Sequence, residues 1–132
     1  MKYGIPKSMI VLMIVITIFI ILSGFLALDL IHGDSEKLEK NIESVRNNIK
    51  TGNWENASES LGRIKSDWTG IKKTWSALID HEEIDNIDIT IAKLEAMLEA
   101  KDSASALSEA AALRRLVTHI PEREKPSIDN LL

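Results

Sequence analysis

The chain of 132 residues has no cysteine. That absence excludes a disulfide framework and a thiol nucleophile, so an exported part must stand on its hydrophobic core alone. It also excludes a lipid anchor: Leu22-Ser23-Gly24 opens like a lipoprotein signal, but Phe25 stands where the modified cysteine would be. There is no Gly-x-Ser-x-Gly, no His-Glu-x-x-His and no glycine-rich phosphate loop. No catalytic residue and no cofactor are therefore expected, and the chain reads as a non-enzyme. Period-2 alternation is missing, which leaves no expected strand.

What is present begins with Met9 to Leu28, 20 residues without a charge, of which 14 are Ile, Val, Leu or Phe. At about 1.5 Å per residue such a helix is roughly 30 Å long, the thickness of a bilayer's hydrocarbon core. Each central apolar residue favours insertion by about 0.3–0.6 kcal/mol, or roughly 4–8 kcal/mol together, with no charge to offset it. The crowded β-branched residues would suit a strand in water, but in lipid the backbone must satisfy itself, so helix wins. A cleaved signal peptide is the alternative, with Lys2 and Lys7 as its basic start. The run is longer than a usual signal core, and Phe25 spoils the small-x-small pattern before Ala27. The reading is an uncleaved signal-anchor. Lys2 and Lys7 precede the span, while Asp29, Asp34 and Glu36 follow it, so the positive-inside rule places the N-terminus in the cytoplasm. The expected order is a cytoplasmic stretch over 1–8, a transmembrane helix over 9–28, a short connector over 29–34, an extracytoplasmic bundle over 35–120 and a tail over 121–132.

The part beyond the span holds 14 basic residues, once Lys2 and Lys7 are set aside, against 20 acidic ones, a net charge of −6. That balance opposes binding nucleic acid or anionic polymers. Apolar residues step by three and four throughout. A first helix is expected from an N-cap at Asp34 or Ser35, with Leu38, Ile42, Val45 and Ile49 on one stripe, ending at Thr51-Gly52-Asn53. The second carries Trp54, Ala57, Leu61, Ile64, Trp68, Ile71, Trp75 and Leu78 as the seam of an antiparallel bundle. Its phase then breaks, and Asp80 with Glu83 has the form of a capping box opening a third helix along Ile84, Ile87, Ile91, Leu94 and Leu98. Asp102 caps a fourth, which runs through Ala106, Ala110, Leu113, Val117 and Ile120 until Pro121 stops it. A shift of 49 residues lays Leu38, Ile42, Val45 and Ile49 on Ile87, Ile91, Leu94 and Leu98, and Asn53 and Ala57 on Asp102 and Ala106. Both halves are αα-hairpins.

The densest polar cluster is Asp80-His81-Glu82-Glu83-Ile84-Asp85, with His81, Asp85 and Asp88 on one helical face. Metal sites in helical bundles use Glu-x-x-His, but Leu78 and Leu116 stand three residues before His81 and His119. No metal is expected; a capped, solvated helix start accounts for the cluster. The tryptophan stripe has two readings, core filling and an aromatic-lined cleft.

With Trp68, Trp75, the stretch Leu78-Ile79-Asp80-His81-Glu82-Glu83-Ile84-Asp85 and the ending Ile128-Asp129-Asn130-Leu131-Leu132, the chain resembles a bacterial family known only as a domain of unknown function. Its members are short, N-terminally membrane-anchored helical proteins, and the likeness spans nearly the whole chain. The resemblance implies a bacterial envelope protein, with no catalytic residue to carry over.

The expected fold is all-α: a single N-terminal transmembrane helix followed by an antiparallel bundle of about four helices, as two αα-hairpins. Its core is expected at Trp54, Leu61, Ile64, Trp68, Ile71, Trp75, Ile87, Ile91, Leu94, Leu98, Leu113 and Val117. The expected function is protein–protein interaction or scaffolding, with another envelope protein or the chain itself as partner. Ile128, Leu131 and Leu132 are candidate contacts, either with that partner or with a groove of the bundle. The alternative is an extracytoplasmic small-ligand sensor that signals through a partner membrane protein.

Overall fold

The computed structural model describes residues 4–124. They form four helices: α1 over Lys7–Lys50, α2 over Trp54–Leu78, α3 over His81–Glu99 and α4 over Ser103–Glu124. Among the described residues there is no strand. α1 packs against α2 and α4, and α3 packs against the same two, while neither diagonal pair meets. The result is an up-down-up-down four-helix bundle whose first helix also carries the apolar run.

The transmembrane-type segment and the first bundle helix are one element. α1 runs unbroken for 44 residues, about 66 Å at 1.5 Å per residue. Asp34 and Ser35 do not cap a helix, as their residue types led us to expect; they lie inside it, and 29–34 is helical. The physical reason is register. Ile31, Ser35, Leu38, Ile42, Val45 and Ile49 are all buried and step by four and three, so the bundle stripe starts one turn before the expected cap. A break at Asp34 would throw Ile31 off that stripe. Gly33 is the only poor helix former in the segment, and its cost of about 1 kcal/mol is small against burying an isoleucine. Within residues 9–28 every large apolar side chain except the partly covered Leu28 is exposed. The hydroxyls there turn inward on their own helix, Thr17 Oγ1 donating to Met13 O and Ser23 Oγ to Phe19 O, each at 2.8 Å. Such back-bonding leaves no polar group unsatisfied on an apolar surface.

The two hairpin turns are copies of one another. In the first, Gly52 (φ +73°) donates to Ile49 O and Asn53 N to Asn48 O, which closes α1 with a Schellman motif. In the second, Lys101 (φ +52°) donates to Leu98 O and Asp102 N to Met97 O. Each motif flows into an N-cap: Asn53 Oδ1 accepts from Asn56 N at 3.3 Å, and Asp102 Oδ1 from Ser105 N at 3.1 Å. Every one of these positions is related to its counterpart by 49 residues, so the sequence repeat extends to backbone hydrogen bonds. The Ser105 hydroxyl bond to Asp102, joined by backbone N–H groups, holds that exposed carboxyl below the usual 3.8.

The α2–α3 junction is different. Ile79 is extended (φ −125°, ψ 150°) and buried, and α3 begins at His81 with Asp80 in the cap position. The break falls where the phase change places it, but the Asp80 side chain makes no cap hydrogen bond. Its main-chain carbonyl serves instead, accepting from Glu83 N and Ile84 N at 3.1 and 3.3 Å. Leu78, read as the end of the seam, is 44% exposed because Ile79 takes its place in the core.

Pro121 does not end α4, which continues to Glu124. A proline inside a helix strands the carbonyl four residues earlier, here that of Val117. The Ser35 hydroxyl fills the gap, donating to Val117 O at 2.6 Å in a buried α1–α4 bond. Tertiary structure thus supplies the partner that the proline removes.

Two stability tests follow, both on the full chain in detergent. Ser35→Ala costs about 1–3 kcal/mol by leaving a buried carbonyl unmade. In a Pro121→Ala background the new N–H reclaims Val117 O, so the same change should cost at least 1 kcal/mol less in a double-mutant cycle. Additive effects would refute the compensation. At the turns, Lys101→Gly should raise stability by about 1 kcal/mol by relieving a left-handed lysine, and Gly52→Lys should lower it by a similar amount. Thermal unfolding reads both, and equal signs at the two sites would contradict the repeat.

Candidate interaction surface

The expected core residues separate cleanly by depth. Leu61, Ile64, Trp68, Ile71, Trp75, Ile87, Ile91, Leu94, Leu98, Leu113 and Val117 are buried, and Trp54 is partly buried against them. Trp68 and Trp75 pack edge to face with ring centroids 5.7 Å apart. They fill the bundle rather than line a cleft. Ile128, Leu131 and Leu132 lie outside the described residues.

The end of the bundle next to the apolar run gathers its polar groups around those two indoles. Trp68 Nε1 donates to Asp88 Oδ1 at 2.7 Å, and Lys72 Nζ to Asp88 Oδ2 at 2.6 Å, tying α2 to α3. Burial alone would raise the Asp88 pKa, but the bonds from Lys72 and Trp68 and the Lys72 charge outweigh it and hold the carboxyl below 3.8. Asp88 therefore faces α2, whereas His81 and Asp85 remain exposed. Among the described residues, no group of three or more His, Cys, Asp or Glu is placed to hold a metal. On α1, burial raises the Asp34 pKa above 3.8, against the Trp75 indole and Lys37, which both lower it. Trp75 Nε1 itself is buried without a partner in hydrogen-bond geometry.

The outer faces carry ion pairs at three of the four helix seams: Lys37–Asp67 between α1 and α2, Lys65–Glu95 between α2 and α3, and Arg114–Glu39 between α4 and α1. Exposed pairs of this kind contribute under about 1 kcal/mol each, and their main effect is to match neighbours. Two depressions flank α4. Arg46, Ala111, Arg114, Arg115 and Thr118 line a shallow cleft of about 410 Å³ against α1. On the other side, Asn86, Ile89, Thr90, Lys93, Ala112, Arg115, Leu116 and His119 line a groove of about 380 Å³ against α3. There a large apolar side chain, Ile89, stands exposed on the lined surface. Beyond Leu30, the exposed large apolar residues among those described are Leu78 and Ile89, the latter 53% exposed. Lys93 and Arg115 flank Ile89 without an ion-pair partner among the described residues. An open strip of Ile89, Ala112 and Leu116 between two cations suits apolar side chains of a peptide with an acidic residue among them. The sequence signal for this groove was Ile89, an isoleucine two positions off the Ile84, Ile87, Ile91 stripe.

The two aspartates make opposite pH predictions. A raised pKa means that Asp34 favours the fold when protonated, so its contribution is present below pH 3.8 and lost as pH rises through the folded value. Asp34→Asn should therefore raise the unfolding temperature at pH 7, with a gain that vanishes below pH 3.8. Asp88, with its pKa lowered, stabilises above 3.8 and loses that effect as pH falls through the folded value. After screening at its partly exposed site, Asp88→Asn should cost about 0.5–1 kcal/mol at pH 7. Matching shifts of one sign for both variants would overturn this assignment.

Among the described residues one helix, α1, is long and apolar enough to cross a membrane, with the composition of a membrane anchor or signal sequence. No curated protein and no solved structure matches the chain. A family match covers residues 25–131, from the last turn of the apolar run through the four helices and into the C-terminal segment. The chain belongs to the family described as Domain of unknown function (DUF4363).

Proposed function

We infer that this is a non-catalytic, single-pass bacterial envelope protein, with its N-terminus in the cytoplasm and its bundle outside, that docks another envelope protein or a second copy of itself. The observation that carries the reading is the unbroken path of α1 from the apolar run into the bundle core. A helix without a hinge holds the bundle at a set height and a set rotation relative to the bilayer. Any outer face is then presented in the plane of the membrane to neighbours of similar height. A tether for free capture would need no such rigidity. The charge pattern, Lys2 and Lys7 before the span and Asp29 and Asp34 after it, supports the orientation.

The same continuity favours a second reading, a small-ligand sensor in which α1 transmits a change in the bundle to a partner within the membrane. The sensor reading requires a saturable small-molecule thermal shift, which the docking reading does not.

Topology and docking are separable in one preparation. In intact cells with the outer barrier removed, added protease should digest the bundle while a tag before Lys2 stays protected. Photo-crosslinkers placed at exposed positions on each outer face of the membrane-embedded chain, for instance Gly62, Lys73 and Arg115, should give a defined adduct from one face. Protection of the bundle would overturn the orientation. A correctly oriented chain with no protein adduct from any face would overturn docking.

A further inference from the structure

The groove between α3 and α4 is bounded by two antiparallel helices, and its charges select what can lie in it. We propose that it takes an acidic amphipathic helix of another envelope protein, an inference that rests on the docking reading above. Ile89 on α3 and Leu116 on α4 stand at about the same level and make its apolar centre, Ile89 exposed and Leu116 half-buried. One turn along each helix toward the α3–α4 turn, Lys93 and Ala112 form the next level; one turn the other way lie Asn86 and His119. Ala112 is a low wall, so a third helix can settle its ridge between α3 and α4. Such a helix presents side chains three and four residues apart, which is the spacing of these levels.

Charge decides the chemistry of the occupant. Lys93 and Arg115 flank the apolar centre and have no ion-pair partner among the described residues. Glu82 and Glu109, one turn beyond the two ends on the same helices, do not line the groove. The part beyond the apolar run has a net charge of −6, so this cationic stretch draws carboxylates that the rest of the surface repels. Two other occupants fit less well. Copies anchored in one membrane are related by rotation about its normal, and a two-fold contact groove to groove would set Lys93 against Lys93 and Arg115 against Arg115 at equal height. Anionic lipid lies too low. Arg114, beside Arg115, pairs with Glu39, which is 11 residues past Leu28 and so about 16 Å beyond the apolar run along α1. A headgroup layer is about 5–8 Å thick, and Lys93 stands a turn farther out still.

The probe is a fluorescein-labelled helical peptide of about five turns, with leucines along one face and glutamates beside them. It is titrated into the full chain in nanodiscs of zwitterionic lipid, with empty nanodiscs as the blank. It should bind at least about tenfold more tightly than the same peptide with lysines for glutamates, or with alanines for leucines. Ile89→Gln should weaken it by a similar factor, while Lys73→Glu on the exposed face of α2 should leave it unchanged. Lys93→Glu with Arg115→Glu should reverse the preference toward the lysine peptide, a gain that a misfolded variant could not show. Equal affinity for both leucine peptides, or binding indifferent to the groove variants, would overturn the proposal. So would binding seen only after residues 125–132 are deleted, which would give the groove to the chain itself. An Ile89→Cys disulfide dimer formed in native membranes would give it to a second copy, with the same consequence, since the chain has no other thiol. If the peptide fails while crosslinkers at Gly62 or Lys73 still give a defined protein adduct, docking stands and the groove is the wrong face. Loss of both overturns docking as well.

Discussion

A helix that passes from an apolar run into a packed bundle without a break carries one rotational phase along its whole length. In α1 that phase is set by the buried stripe from Ile31 to Ile49, and everything N-terminal of Ile31 inherits it. Two helices are placed against this stripe, α2 and α4 on its two sides, and α3 closes the square by packing on both of them. The geometry of the bundle relative to the apolar run therefore depends on residues 29–34 staying helical. Gly33 weakens that stretch, and Ile31 and Ser35, one turn apart and both buried, hold it.

The half of the bundle nearest the apolar run carries specific polar bonds of its own. Ser35 satisfies the Val117 carbonyl that Pro121 strands, and Asp88 joins Trp68 and Lys72 across the α2–α3 seam. Buried polar groups contribute little net stability when satisfied but cost heavily when stranded. They therefore select one arrangement of helices over shifted alternatives. Asp34 runs against this trend, since its ionised form is disfavoured where it sits, beside an indole N–H that finds no bonded partner.

At the far end the bundle is closed by two equivalent turns. Gly52 and Lys101 occupy the same left-handed position, and Asn53 and Asp102 the same cap, 49 residues apart. The halves then diverge where α2 places Trp68 and Trp75 and α4 ends beyond Pro121. The aromatic pair belongs to one hairpin only, so the repeat describes the turns and the aliphatic stripes better than the end of the bundle where the indoles lie.

Much of this was written locally. The uncharged run from Met9, the three-and-four spacing of Leu61, Ile64, Trp68, Ile71 and Trp75, the turns at Gly52 and Asp102, and the phase break at Asp80 all depend on neighbours within a few turns of the chain, so the residues alone determined them. The groove at Ile89 left only a faint trace, as one isoleucine out of step with its stripe. Three features could be decided only by the assembled bundle. Asp34 and Ser35 have the chemistry of a cap, and Pro121 that of a stop, yet both sit inside helices. Asp88 shares a helical face with His81 and Asp85 but turns to α2. In each case a partner more than fifteen residues away, Val117 for Ser35 and Trp68 for Asp88, supplies the bond that local propensity could not anticipate. Leaving a buried group without its bond costs about 1–3 kcal/mol, against the roughly 1 kcal/mol by which a cap residue favours a helix start.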